Sequence, residues 1–203
     1  MLETSALACE RGGLRLFAGV NLSLAPGGLL RVRGANGSGK TTLLRTLAGL
    51  TRPAAGTVRW RGNDIDDDYR SEMLFIGHAP ALKDELTVRE NLEFACRLCG
   101  LDVSGSRTGI ALERLGIAHL ADLPARYLSQ GQRRRAALAR LALSASVPLW
   151  LLDEPFAALD SEGIAQLSEI CAAHLASGGM LVLTSHQDVE IASAAAWSVE
   201  LQG

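Results

Sequence analysis

Eight consecutive residues, Gly34-Ala35-Asn36-Gly37-Ser38-Gly39-Lys40-Thr41, carry the spacing G-x-x-x-x-G-K-T and follow the apolar run Leu29-Leu30-Arg31-Val32. Each residue type has a mechanical job. The glycines let the backbone fold into a nest whose N–H groups point inward at phosphate oxygens, and a helix starting near Lys40 adds its positive dipole end. Lys40 is expected to reach the β- and γ-phosphates as a point charge, and the Thr41 hydroxyl to help hold Mg²⁺. A Gly-rich turn between a strand and a helix can be no more than a turn. Here the context that the motif requires, strand before and helix after, is legible in the sequence. The expected ligand is a nucleoside triphosphate, ATP by default, with Gly34 to Thr42 around its phosphates.

A second constellation is Leu149-Trp150-Leu151-Leu152-Asp153-Glu154-Pro155. Four apolar residues make a central strand, and the carboxylates emerge at its C-terminal end, the edge where ligands bind in open α/β sheets. Asp153 is expected to bind Mg²⁺ directly or through water, and Glu154 to act as general base on the attacking water. An isolated Asp-Glu-Pro would more simply end a strand in solvent. Beside a triphosphate loop the pair fills a chemical need, because the site requires a metal ligand and a water activator.

The third element is Leu128-Ser129-Gln130-Gly131-Gln132, followed by Arg133-Arg134-Arg135-Ala136-Ala137-Leu138-Ala139-Arg140. Ser129 can cap a helix and Gly131 permits close backbone approach. Taken alone this is an ordinary capped basic helix. His186 likewise reads alone as a histidine at a strand end, after Met180-Leu181-Val182-Leu183.

Composition limits the positioning scaffold. The chain has 203 residues, 48% of them hydrophobic, and a formal charge of -2. That allows one substantial core and gives no electrostatic footprint for nucleic acid. No apolar run approaches the roughly 20 residues needed to cross a bilayer, and the first residues lack a basic, apolar, cleavable segment. The expectation is a protein of the cytosolic side. Cys9, Cys96, Cys99 and Cys171 make no disulfide framework. Cys96-x-x-Cys99 lies in a helical pattern, with Gly100 where haem attachment needs a histidine, so both thiols are expected to be buried.

Val20, Leu22 and Leu24, and then Val58 and Trp60, alternate with polar or small residues. They predict strands of an early β lobe flanking the phosphate loop. Thr41 to Leu50 predicts the helix behind the loop, stopped by Gly49 and Pro53. From about Ser71 to Tyr127 the pattern is mostly helical, with Thr87 as N-cap and turn signals at Gly100, Gly105 and Gly116. Ile164, Leu167, Cys171 and Leu175 keep helix period before the stop at Gly178-Gly179 and the strand Met180 to Leu183. Strand and helix alternate, so the fold class is α/β with a mainly parallel central sheet covered on both faces. No repeat, low-complexity tract or linker divides it. The whole of 1–203 reads as one ATP-binding domain, with 1–70 and 128–203 as core and β lobe and 71–127 as a helical sublobe.

Taken together the motifs resemble the ATP-binding subunits of ABC transporters over essentially the whole chain. The loop at Gly34 to Thr41, the signature-like Leu128 to Gln132, the carboxylates after Leu149 to Leu152, Ala158-Leu159-Asp160, and His186 stand in the family's order and at similar spacing. The resemblance implies a P-loop ATPase that works as a head-to-tail homodimer, each ATP buried between the loop of one copy and the signature of the other. It implies that Ser129, Gly131 and Gln132 contact the partner's γ-phosphate, that Asp160 links the two sites, and that His186 senses or positions the γ-phosphate. It also implies integral membrane partners docked on the helical sublobe near Glu90.

Two departures qualify the match. Phe75-Ile76-Gly77-His78-Ala79-Pro80 stands where the family usually has a glutamine that touches the metal and relays to the membrane partner. His78 can make the contact or be structural, and a histidine would make it sensitive to pH. The aromatic that usually stacks on adenine is absent near Cys9-Glu10-Arg11, leaving Arg11 to stack its guanidinium there. Ile76-Gly77-His78, Leu7 to Gly12, and Leu82 to Thr87 with Glu90-Asn91-Leu92 are similar to the ATPase subunit of the bacterial cytochrome c maturation system. That narrower resemblance implies a peripheral protein on the cytoplasmic face of the inner membrane. There it powers haem export or release of a haem-loaded chaperone, touching haem only through its membrane partners. Another small ABC exporter, a soluble non-transport ABC ATPase, and a small-molecule kinase sharing the phosphate loop are the alternatives. The last has no use for Leu128 to Gln132.

Overall fold

In the computed structural model, which describes residues 1–103 and 106–201, chain order runs β1 (Leu2–Arg11), β2 (Leu14–Leu24), β3 (Gly28–Gly34), α1 (Lys40–Leu47), β4 (Ala55–Trp60), β5 (Asn63–Asp64), α2 (Asp67–Ser71) and β6 (Met73–Ile76). It continues through α3 (Val88–Leu98), α4 (Arg107–Arg114), α5 (Gln130–Leu138), β7 (Leu149–Leu152), α6 (Ser161–Ala176), β8 (Met180–Thr184) and β9 (Ala195–Leu201). Short 3₁₀ turns occupy Ala118–Leu120, Ala125–Tyr127 and Ala139–Leu143.

The strands form two sheets, an antiparallel one ordered β2-β1-β4-β5 and a parallel one ordered β6-β7-β8-β3-β9. Period-two alternation along the parallel strands splits their side chains between two cores. Leu30, Val32, Leu149, Leu151, Met180 and Val182 pack on one face with Leu43, Leu44 and Leu47 of α1 and with Leu7, Phe17 and Trp60 of the antiparallel sheet. Leu29, Leu74, Ile76, Trp150, Leu152, Leu181 and Leu183 pack on the other face with the helical residues Leu92, Leu112, Leu138, Leu167 and Ile170. Strands buried on both faces need near-continuous apolar sequence, and the fully buried β7 and β8 have it.

The structure differs from the sequence expectations at three places. Met73–Ile76, inside the range expected to be a helical sublobe, is a strand of the parallel sheet paired with β7. Its four residues Met-Leu-Phe-Ile make an apolar run too short for periodicity to separate helix from strand, and the pairing with Leu149–Leu152 decides it. Cys96 is buried, but Cys99, the C-cap residue just past the last residue of α3, is exposed rather than buried with it. Strand β9, which pairs in parallel with β3, has the weak pattern Ala-Ala-Trp-Ser-Val-Glu-Leu and was not foreseen. Thr87 caps α3 as expected, its hydroxyl accepting from Glu90 N while Glu90 reaches back to Thr87 N. Gly105 lies outside the described residues.

Under the parallel sheet, His174 of α6 stacks on Trp150 of β7, ring centroids 3.7 Å apart and planes within 2°. The ring is 2% exposed, and its Nε2 lies 3.3 Å from Met180 O, an acceptor that requires a proton on that nitrogen. Burial pushes its pKa down from 6.5 to about 4, so the folded protein holds the ring neutral where the unfolded chain protonates it. Between those two values the unfolded state binds more protons, and stability must fall as pH falls. The expected cost at pH 5 is about 2 kcal/mol. Urea unfolding at pH 7.5 and pH 5 checks it: His174→Gln should show a flatter pH dependence than the unsubstituted chain.

Candidate nucleotide-binding site

Parallel pairing sets the ends of β6, β7, β8 and β3 side by side, and four of the segments that the sequence marked for chemistry leave the sheet at that edge. Gly34 ends β3, Gly77-His78 follows β6, Asp153-Glu154 follows β7, and Ser185-His186 follows β8.

The phosphate loop ends in α1, whose N-cap Gly39 has φ 95° and no side chain to cap the first-turn N–H groups. A Cβ at Gly39 would stand 3.0 Å from both Leu16 and the Phe17 ring, so only glycine fits this turn against β2. By contrast α2, α3, α5 and α6 are capped by their own Asp66, Thr87, Ser129 and Asp160. Uncapped N–H groups at a dipole's positive end are suited to an anion. Lys40 Nζ folds back to donate to Gly34 O at 2.8 Å and Ala35 O at 3.0 Å. Ser38 Oγ is buried with no hydrogen-bond partner in the protein, an orphan that a phosphate oxygen would satisfy.

Asp153, 1% exposed, has both carboxylate oxygens in use. Oδ2 accepts from Thr41 Oγ1 at 2.9 Å and Oδ1 accepts from Thr184 Oγ1 at 2.8 Å. The same Thr184 oxygen accepts from Glu154 N at 2.8 Å. Glu154 takes a left-handed backbone, φ 50°, a conformation that a non-glycine residue holds only when its surroundings insist. Its Oε2 accepts from His186 N at 3.2 Å, and its Oε1 lies 3.3 Å from His186 Nε2, an ion pair only when that ring is protonated.

One open cleft is lined by Arg11, Leu16, Asn36, Gly37, Gly39, Lys40, Thr41, Thr42, His78, Asp153, Glu154, Ala157 and His186. Sequence reasoning therefore named most of its wall. Leu16 and Ala157 carry no chemical signal in the sequence, and neither does Thr184, which holds Asp153 from behind the cleft. Gly34, Ala35 and Ser38 are not part of that wall. Ser129, Gly131, Gln132 and Asp160 line none of it. Ser129 and Gln132 satisfy one another in a capping box, Gln132 N donating to Ser129 Oγ at 3.3 Å and Ser129 N to Gln132 Oε1 at 2.9 Å. Gly131 allows Ala158 O to approach, 2.8 Å from where a Cβ would sit. Asp160 accepts from Gly163 N and from Arg135 Nη2; the backbone N–H of Gly163 first, and then Arg135, hold its carboxyl below the usual carboxylate range.

The oxygens of Thr41 and Asp153 form a hard donor set suited to Mg²⁺. Among the described residues no group of three or more His, Cys, Asp or Glu side chains is placed to hold a metal. An ion here would draw its other ligands from phosphate and water, the usual habit of Mg²⁺.

Residues 17–157 match the model of the ABC transporter family. The "cytochrome c biogenesis ATP-binding export protein CcmA" of Methylococcus capsulatus is 53% identical over 193 residues, 94% of this chain and 93% of that protein. Its namesake from Aromatoleum aromaticum is 51% identical over 195 residues, 95% of this chain and 91% of that one. Among solved structures, the ATP-binding subunit of an ABC transporter superposes with a TM-score of 0.82 at 26% identity, covering 92% of this chain and 79% of that one. An ATP-binding cassette solved as a dimer in a post-hydrolysis state with ADP and Pi superposes at 0.80 and 27% identity, covering 92% and 88%.

Thr184 joins the two carboxylate residues through a single hydroxyl, so Thr184→Val should strand Asp153 Oδ1 and Glu154 N together. The expected loss is about 1–3 kcal/mol of stability, read by urea unfolding, with Thr184→Ser keeping most of it.

Proposed function

Because the chain belongs to the ABC transporter family and, within it, groups with the cytochrome c biogenesis ATP-binding export proteins, we propose that it is the ATP-hydrolysing subunit of a transporter complex that powers haem export, or release of a haem-loaded chaperone, during cytochrome c biogenesis. The observation that carries the ATPase reading is the single cleft joining the phosphate loop, Asp153, Glu154 and His186.

In this reading the N–H groups of Gly34 to Thr42 wrap the triphosphate, and Lys40 exchanges its loop carbonyls for β- and γ-phosphate oxygens. Thr41 and Asp153 hold Mg²⁺, which when bound neutralises phosphate charge. Glu154 takes the proton of the attacking water. His186, already against Glu154, donates to the γ-phosphate and orients that carboxylate. Arg11 and Leu16 offer the base a guanidinium face and an apolar one.

Hydrolysis in this scheme requires a homodimer. Ser129, Gly131 and Gln132 stand outside the cleft of their own chain, so they would close over the triphosphate of a second copy, with Asp160 joining the two sites. That the related cassette is a dimer supports this arrangement. Closure contacts exist only in the sandwiched state, which gives ATP the differential affinity that a population shift needs.

No helix among the described residues is long and apolar enough to cross a membrane. In the proposed complex the membrane work falls to integral partner subunits, with this chain peripheral on the cytoplasmic face. An apolar groove between the His78 segment and α3, lined by Pro80, Leu82, Leu92, Phe94, Leu98 and Cys99, offers them a seat near Glu90. Phe94 and Leu98 are exposed there at 44% and 73%. His78 lines the nucleotide cleft two residues before Pro80, in the place of a relay between groove and ATP.

Glu154→Gln should bind ATP with near-normal affinity and release phosphate at least about 100-fold more slowly. The same variant with ATP should sediment as a dimer and co-purify integral membrane proteins. Phosphate appearing on an acceptor instead of free in solution would mark a kinase.

A further inference from the structure

Arg134 sits in the middle of the basic run Arg133-Arg134-Arg135, yet it is 3% exposed. Its charge faces no carboxylate within ion-pair distance among the described residues. Its guanidinium is spent on backbone carbonyls. Nη2 donates to Asp153 O at 2.8 Å and Glu154 O at 2.7 Å, Nε to Pro155 O at 3.3 Å, and Nη1 to Gly77 O at 3.0 Å and His78 O at 3.1 Å. Burial pulls its pKa below the ordinary guanidinium value, with the charges of Asp153 and Glu154 opposing that shift.

These contacts have a specific mechanical consequence. Glu154 holds its left-handed backbone between two anchors, Thr184 Oγ1 on its N–H and Arg134 on its carbonyl. The same fork grips Gly77 and His78, so the segment after β6 and the segment after β7 are bridged by one planar group. That group is carried by α5, the helix which Ser129 caps. A lysine cannot copy this, since an ammonium has three donors and no planar fork.

We propose that Arg134 is a positioning residue for hydrolysis: by clamping the carbonyls of Asp153, Glu154 and Pro155 to those of Gly77 and His78, it fixes where the Glu154 carboxylate points and makes that direction depend on the His78 segment. Arg134 lines none of the cleft itself. The inference rests on the reading of Glu154 as general base.

The test is steady-state ATP hydrolysis by Arg134→Gln and Arg134→Lys at equal protein concentration, with thermal melting and binding of a fluorescent ATP analogue measured on the same samples, and Glu154→Gln in parallel. A displaced carboxylate predicts kcat lowered about 10- to 100-fold in Arg134→Gln, with KM for ATP and analogue affinity within about twofold of the unsubstituted chain, and partial recovery in Arg134→Lys. Unchanged kcat in folded Arg134→Gln overturns the proposal. So does a loss in which kcat and ATP binding fall together with the folded fraction, which is what a purely structural arginine would give. If Arg134→Gln fails to fold, Arg134→Lys decides: lowered kcat at unchanged KM supports positioning, and full activity overturns it. Normal turnover by Glu154→Gln would instead remove the general-base reading, a separate failure.

Discussion

Asp153 is held between two threonine hydroxyls, Thr41 from the helix after the phosphate loop and Thr184 from the end of β8. The geometry of the cleft depends on this bridge, because it ties three segments remote in sequence into one wall. A buried carboxylate is costly unless its oxygens find donors, so Asp153 cannot sit there unless β3, β7 and β8 are adjacent and in register. The parallel order β7-β8-β3 supplies that adjacency. The carboxylate in turn rewards it by satisfying both hydroxyls. The apolar strand interiors and the polar strand ends thus select the same register.

The same edge holds groups in unusual states. The α1 N-terminus lacks a side-chain cap, Ser38 Oγ lacks a partner, and Glu154 holds a positive φ. The starts of α2, α3, α5 and α6 carry side-chain caps instead. Such departures cost stability individually and persist only when packing over-determines them. At this cleft a ligand would take over the missing contacts. The two cores on either side of the parallel sheet supply the rigidity.

The layout also bears on the proposed pairing of two copies. The first half of the chain and the ends of β7 and β8 build the phosphate side of the cleft, while α5 turns its capped start away from it. The cleft includes no residue from the start of α5, and that arrangement is the basis of the proposed ATP-driven pairing. Arg134 is placed to report between these parts, since its helix begins at the surface expected to meet the second copy and its guanidinium ends beside Glu154.

Local chemistry was legible in the sequence wherever it depends on contiguous residues. The loop from Gly34 to Thr41, the strand and carboxylates from Leu149 to Glu154, and the Thr87 and Ser129 caps all follow from short-range pattern and stereochemistry, and so did the α/β class. What needed tertiary structure involves residues whose partners lie far along the chain. The strand at Met73–Ile76 exists because Leu149–Leu152 lies beside it, and Thr184 matters because Asp153 and Glu154 meet it across a strand boundary. Arg134 is a buried clamp rather than one more surface cation because the carbonyls after β6 and β7 converge on it. A short apolar run and a basic run each have several low-energy environments, and only long-range packing chooses among them.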